Sequence, residues 1–345
     1  MKKTVNVGGV VLGNGTVAVQ SMTTEKTSDV EKSVAQILRL QEAGCDIVRV
    51  AVLDEADANA IGKLKQRVSV PIVADIHFSP RLAVLAVEAG ADKLRINPGN
   101  IGGEKEIALV ADCIRAHKIA VRVGANTGSI EPHFYKKYGR SARALVESAL
   151  SNVALLEKHG VEDIVISVKA SDVPLTVEAY TELADRTQYP LHVGVTEAGT
   201  ERSGLVKSSV GIGALLLRGI GDTLRVSLTA DPVKEVYAAH EILRACGLER
   251  NFVEVVSCPT CGRCQYDCAA LAEKVNERVA GIKKQMKVAV MGCVVNGPGE
   301  ARDCALGIAG GREYCVIFEG EKQVRVAKEE AENVFFARLD ALLKQ

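Results

Sequence analysis

A short β-rich run, a polar tip and an amphipathic helical stretch recur eight times before residue 247, and that rhythm constrains the fold more than any other feature of the chain. The runs are "VAVQSM", "DIVRVA", "PIVADIHF", "KLRINPG", "AVRVGAN", "DIVISVKAS", "LHVGVTEA" and "TLRVSLTA". Between them lie patterns such as "DVEKSVAQILRLQEAG", where Val30, Val34, Ile37, Leu38 and Leu40 follow a helical period and Gly44 supplies a stop. Alternation of this kind builds a parallel sheet, and eight units close into a (β/α)8 TIM-type barrel more readily than they form an open sheet. The opening "VNVGGVVLGNGTV" reads as a hairpin around Asn14 and Gly15 that plugs the bottom of the barrel.

The rhythm breaks at "GLERNF". Residues 1–247 are thus expected to form the barrel, and 248–345 a smaller α/β domain of roughly a hundred residues that ends in the helix "AKEEAENVFFARLDALLKQ". Lys plus Arg and Asp plus Glu both total 43, so no long-range field favours nucleic acid or an anionic membrane, and any anion site must be built locally. No apolar run has the length of a signal peptide or a membrane span, which leads to the expectation of a cytoplasmic protein. Seven of the ten cysteines fall in the second domain, and in a neutral chain of this size they read as reduced thiols, metal ligands or core residues rather than a disulfide framework.

Active sites of barrels of this kind lie at the C-terminal ends of the strands. Those ends carry Arg49, Asp75, His77, Arg95, Asn97, Arg122, Asn126, Lys169, His192, Glu197, Arg225 and Ser227. Five cations on one face suit a small ligand with two phosphates, because guanidinium forks match phosphate oxygens, and "NPGNIGGE" before a helix offers backbone N–H groups to the same anion. The competing reading makes some of these cations structural partners of Asp46, Asp75 or Asp163. Glu197 in "VGVTEAGT" is the best lone acid–base candidate; Asp75, His77 and His192 are weaker ones. "VGIGALLLRGIG" is no nucleotide fingerprint, since Leu216 takes the third glycine position; it reads as a barrel helix.

Cys258, Cys261, Cys264 and Cys268 spell C-x2-C-x2-C-x3-C, the spacing of a bacterial ferredoxin run, but Ala269 replaces the proline that should follow, and no second run exists. "CQYDCAALAEKV" reads as a helix with Cys264 and Cys268 on one face. Cys293 ends a strand in "MGCVVNGPGEA", ahead of a tight Gly/Pro loop and Glu300. Cys45, Cys113, Cys246, Cys304 and Cys315 read as core residues.

"SCPTC" followed by "GCVVNGPGEA", together with "VQSMTT", "DIHF", "KLRINPGN", "VRVGANTGS", "SVKASD" and "GVTEAG", closely resembles the 4-hydroxy-3-methylbut-2-enyl diphosphate synthase family of the non-mevalonate isoprenoid pathway. The resemblance implies a [4Fe–4S] cluster held by Cys258, Cys261, Cys293 and Glu300, with Cys264 and Cys268 as extra thiols. It implies reductive ring opening and dehydration of 2-C-methyl-D-erythritol 2,4-cyclodiphosphate. Arg49, Arg95, Arg122 and Lys169, with Asn97, Asn126 and Ser227, would hold the cyclic diphosphate, Asn296 would act on it from the cluster domain, and Glu197, Asp75 and His77 would manage protons. It also implies ferredoxin or flavodoxin as electron donor, and a homodimer whose active site is shared across subunits. Two other classes stay open: a barrel enzyme acting on another phosphorylated substrate, such as a pterin-type synthase, with a zinc ribbon attached, and an electron-carrier module for which Cys264 or Cys268 would be ligands.

Overall fold

The structure, a computed structural model, describes residues 2–294, 299, 301–320 and 322–344. It divides into two compact units that meet in sequence at Leu248 and Glu249.

In the first unit a hairpin of β1 (Val5–Val7) and β2 (Val10–Leu12) precedes eight parallel strands. These are β3 (Ala18–Met22), β4 (Ile47–Ala51), β5 (Ile72–Asp75), β6 (Lys93–Ile96), β7 (Ala120–Asn126), β8 (Ile164–Lys169), β9 (His192–Val193) and β10 (Thr223–Leu224). Neighbours pair in sequence order from β3 to β8, β10 pairs with both β3 and β9, and a parallel bridge between Ile166 and Leu191 completes the ring. The expected barrel is therefore present. The helices between strands start where short polar side chains can accept an otherwise unpaired N–H: Asp29, Asp54, Ser79, Ser141, Asp172 and Asp231 each do so.

The hairpin packs Val5, Val7 and Leu12 against Ala18, Ile47, Val73, Ala120 and Val165, the inward residues at the start of five strands. It thus forms an apolar floor. Its turn, however, lies at Gly8 and Gly9, both with positive φ, and not at Asn14 and Gly15 as the sequence suggests. Two consecutive positive φ angles are what a tight hairpin turn demands, and paired glycines supply them without strain. Asn14 instead accepts the N–H and hydroxyl of Thr16, bending the chain into the barrel. Strands β9 and β10 are shorter than their runs, although Arg225 N still donates to Val193 O at 3.0 Å just beyond them, and the chains approach so closely there that a Cβ on Gly194 would sit 2.5 Å from the carbonyl oxygen of Arg225.

The second unit is a five-stranded sheet in the order β11 (Val253–Ser257), β12 (Met286–Met291), β13 (Leu306–Gly310), β14 (Tyr314–Glu319), β15 (Lys322–Ala327). The first three run parallel and the last two antiparallel. Helices Cys268–Val279 and Lys328–Lys344 bury Leu271, Val275, Phe335 and Leu339 against Val288, Val290, Leu306 and Ile308. Among the described residues no helix is long and apolar enough to cross a membrane.

Candidate active site and cysteine cradle

Side chains alternate along a strand, so residues two and four beyond the apolar floor also point into the barrel. Arg49 stands two residues after Ile47, Asp75 after Val73, Arg122 after Ala120, and Lys169 four after Val165. Lys93 and Arg95 join them because they pair in register with Val73 and Asp75. The barrel axis above its floor is therefore lined with cations.

The Asp75 carboxylate is 3.3 Å from Arg95 Nη1, 3.8 Å from Arg49 Nε and 3.4 Å from His77 Nε2. Burial alone would raise its pKa, but the His77 hydrogen bond and the charges of Arg49 and Arg95 prevail and hold it well below the usual carboxylate range. Arg225 pairs at 3.4 Å with Glu235, whose other oxygen accepts the N–H of Leu228 at 2.9 Å. The structural reading of the cations thus holds for Asp75, and Glu235 is a counter-ion that the strand-end pattern did not reveal. Burial, and then Arg225 and Arg95, bring Arg49 down to about 10 despite Asp75.

Arg122 is different. It is 2% exposed, and its Nε and Nη1 find no hydrogen-bond partner among the described residues; Arg95 Nε and Asn97 Oδ1 are likewise orphaned. Burial, and then Arg49 and Arg95, push Arg122 well below its ordinary range, and Lys169 falls for the same reasons with Arg122 first among its neighbours. Cations crowded beyond the carboxylates that face them give this interior a positive field that suits an anion. Two glycines make the room: a Cβ on Gly124 would lie 3.4 Å from Arg95 Nε, and one on Gly194 2.9 Å from Lys169 Nζ.

Other expected residues fall less simply. Asn97, Asn126 and Ser227 follow or end β6, β7 and β10, with Asn97 buried and the other two half-buried. Glu197 is exposed, with a left-handed φ of 52° that is unusual for a residue bearing a Cβ. His192 is not a strand-end residue: it opens β9, is fully buried with Nδ1 3.4 Å from Thr223 Oγ1, and is held neutral by burial and the neighbouring Lys169. The N–H of Gly99, expected as an anion donor, is instead taken by Asn152 Oδ1 at 2.7 Å. Lys93, fully buried and 3.3 Å from Gln20 Oε1, was missed, although its period-two spacing to Arg95 in "KLRINPG" was the signal for it.

In the second unit, Cys258 follows β11 and Cys293 lies two residues beyond β12, so adjacent parallel strands deliver both at their C-terminal ends. Gly292 donates its N–H to Cys258 Sγ at 3.0 Å. A Cβ on Gly292 would stand 2.7 Å from Cys264 Sγ and 3.4 Å from Cys258 Sγ, so both sulfurs face its bare Cα. Cys261 is exposed. Cys264 and Cys268 do not share a helix face: the helix begins at Cys268, capped by Asp267, which accepts the N–H of Ala270 at 3.0 Å. Cys268 belongs to the core, with its thiol directed at Val290 O; burial, then the Cys258 sulfur, push it up to about 11. Of the other cysteines, Cys45, Cys304 and Cys315 are buried as expected, but Cys113 and Cys246 are only half-buried. Among the described residues no three Cys, His, Asp or Glu side chains converge as a single-ion site. Asn296 and Glu300 lie outside the described residues.

Comparison with known proteins bears on both units. Residues 2–240 match the family model described as the GcpE TIM-barrel domain, and residues 254–341 match the GcpE protein C-terminal domain. A 4-hydroxy-3-methylbut-2-en-1-yl diphosphate synthase (flavodoxin) of Caldanaerobacter subterraneus subsp. tengcongensis is 56% identical over 92% of this chain and 90% of its own length. The protein of that name from Desulfotalea psychrophila is 54% identical over 98% of this chain and 94% of its own. Among solved structures, the dihydropteroate synthase of Yersinia pestis aligns with a TM-score of 0.52 at 12% identity, over 71% of this chain and 98% of that one. At that identity the likeness concerns the barrel fold alone.

Proposed function

The chain belongs to the GcpE family along nearly its whole length, and from that premise we propose that it converts 2-C-methyl-D-erythritol 2,4-cyclodiphosphate to (E)-4-hydroxy-3-methylbut-2-enyl diphosphate. Two electrons and two protons enter, the ring C–O bond opens, and water leaves. The observation that carries this reading is the buried Arg122 guanidinium, with Nε and Nη1 unpartnered beside the equally orphaned Arg95 Nε. Donors aimed inward without a partner are costly in the ligand-free protein and favourable once phosphate oxygens reach them.

In this reading Arg49, Arg95, Arg122 and Lys169 bind the two phosphates, with Asn97, Asn126 and Ser227 as neutral donors. Their charges stabilise the phosphate oxygen freed as the ring opens. Asp75 keeps Arg49 and Arg95 in place through its ion pairs and orients His77. Glu197, exposed on a loop beyond β9, handles the proton needed for loss of water.

The family implies an iron–sulfur group, and the donor set supports one: adjacent parallel strands bring Cys258 and Cys293 to their C-terminal ends, and Gly292 donates its N–H to the Cys258 sulfur, as a backbone amide does to a thiolate ligand. We assign Cys258, Cys261, Cys293 and Glu300 as the residues that hold a [4Fe–4S] cluster, three thiolates with one harder carboxylate. When bound it supplies single electrons, received from flavodoxin or ferredoxin. Asn296 and Glu300 act on substrate held by the barrel of a second chain in a homodimer.

Anaerobic purification with iron and sulfide counts, followed by turnover of the cyclic diphosphate under a strong reductant, tests the reading. About four irons per chain with product formation supports it. Zinc without iron would instead favour a barrel enzyme with a structural metal.

A further inference from the structure

Below the strand-end cations lies one more, and its surroundings differ from theirs. Lys93 stands two residues before Arg95 on β6 and pairs in register with Val73 and Ala120, both part of the apolar floor. Its side chain is fully buried, and Nζ has one hydrogen-bond partner, the neutral Gln20 Oε1 at 3.3 Å. Among the described residues no carboxylate pairs with it. The acids of the barrel interior are engaged elsewhere, Asp75 with Arg49, Arg95 and His77, and Glu235 with Arg225, Ser21 and the N–H of Leu228. The other groups that line this interior are cations or neutral: Arg49 from β4, Arg95 from β6, Arg122 from β7, Lys169 from β8 and Arg225 from β10, then neutral His192 from β9 and Gln20 from β3, with only Val5, Val7 and Leu12 of the hairpin below. An ammonium at this place would be desolvated, without a counter-ion and next to guanidiniums, so the uncharged amine is the favoured form in the ligand-free barrel. Burial, and then Arg122 and Arg49, accordingly push Lys93 well below the ordinary lysine range.

We propose that Lys93 is a positioning residue of the diphosphate site: an amine beneath Arg122 that takes up a proton when the diphosphate binds, so that the occupied barrel holds one cation more than the empty one. The proton comes from solvent and adds to the Nζ lone pair, and no other bond changes. Two phosphates at Arg122 and its neighbours offset the positive field that keeps Lys93 uncharged, and the new ammonium in turn strengthens the hold on the anion. Lys93 touches no substrate in this arrangement; it acts through the field under Arg122. The inference rests on the cyclic diphosphate reading above.

The test is calorimetric titration of the full-length holoenzyme with the cyclic diphosphate, anaerobically and without reductant, in phosphate-free buffers of different ionisation enthalpy. Each phosphorus of that ligand carries one strongly acidic oxygen, so the ligand itself neither gains nor loses a proton near neutral pH and any uptake belongs to the protein. Wild type should take up protons on binding, and Lys93→Met should take up about one fewer per chain. The affinities of the two proteins should agree at high pH and diverge as the pH falls, wild type gaining up to about tenfold more per pH unit than the variant until the amine is charged in the free protein as well. Thermal melts check folding, and if Lys93→Met loses the fold, Lys93→Gln, which can still donate to Gln20 Oε1, carries the same comparison. Wild type that binds without proton uptake overturns the proposal. So does a folded variant with wild-type uptake and pH slope, since the proton would then go to another group such as Lys169. A holoenzyme that does not bind the cyclic diphosphate at all overturns the functional reading, and the inference with it, which separates the two failures.

Discussion

Gly292 donates its backbone N–H to Cys258 Sγ at 3.0 Å, joining the end of one cysteine-bearing strand to the start of the other cysteine motif. The contact needs a residue without a side chain, because a Cβ there would stand 2.7 Å from Cys264 Sγ. Gly292→Ala should therefore cost about 1–3 kcal/mol of stability through crowding and reduce bound iron to less than half of wild type. Combining it with Cys264→Ala removes the nearer sulfur and should recover part of the iron. Iron assays and denaturant titrations on the three proteins check this; full iron in Gly292→Ala would show that the cradle tolerates a methyl.

Arg122 sets stability against function. A buried guanidinium with two unpartnered nitrogens is a cost to the ligand-free barrel, so Arg122→Met should stabilise it by about 1–4 kcal/mol. Its melting temperature should rise by roughly 2–4 °C for each kcal/mol. Turnover of the cyclic diphosphate should fall by at least about 100-fold. A variant that melts lower than wild type would mean that Arg122 supports the barrel wall rather than awaiting an anion.

Asp75 gives the barrel a defined pH response. Its folded pKa lies below the unfolded value of about 3.9, so its contribution is complete above that pH and is lost as the pH falls towards the folded value. Asp75→Asn should cost about 3–5 kcal/mol at pH 7, since it leaves Arg49 and Arg95 without their shared carboxylate. The gap to wild type should be constant from neutral pH down to about pH 4 and narrow below it. Thermal melts of both proteins across that range check this, and a gap that widens on acidification would contradict the assignment.

The periodic part of this molecule was legible because periodicity is what a sequence displays. The eight-unit rhythm gave the barrel, and period-two alternation above the floor gave Arg49, Asp75, Arg95, Arg122 and Lys169 one shared interior. Local competitions were harder to read. Asn14-Gly15 is a strong turn signal, but Gly8-Gly9 won because Val7 pairs with Val10 and leaves only those two residues between the strands. Cys264 and Cys268 are four apart, yet Asp267 caps the helix between them, so only Cys268 is helical, and both meet beside Cys258 and Tyr266 by way of a turn rather than a shared helix face. Glu235 could not be foreseen as the partner of Arg225, because it projects from a helix and no strand pattern points to it.

The proposed sharing of the active site between two chains makes a quantitative prediction. A chain with Cys258→Ser cannot hold the cluster but keeps its barrel, and one with Arg122→Met loses the anion site but keeps its cysteines. Each homodimer is expected to be inactive. If one chain's cluster serves the other's barrel, a heterodimer has one site with both defects and one with neither. Random reassortment of an equal mixture makes about half the dimers mixed, each with one intact site of two, so activity should recover to about a quarter of wild type. Reassortment needs exchange, so the chains are best co-expressed with different affinity tags and the mixed dimer isolated through both. That species should reach about half of wild-type turnover per dimer. If each chain were self-sufficient, both sites of the mixed dimer would be defective, and no turnover would appear however the subunits were combined.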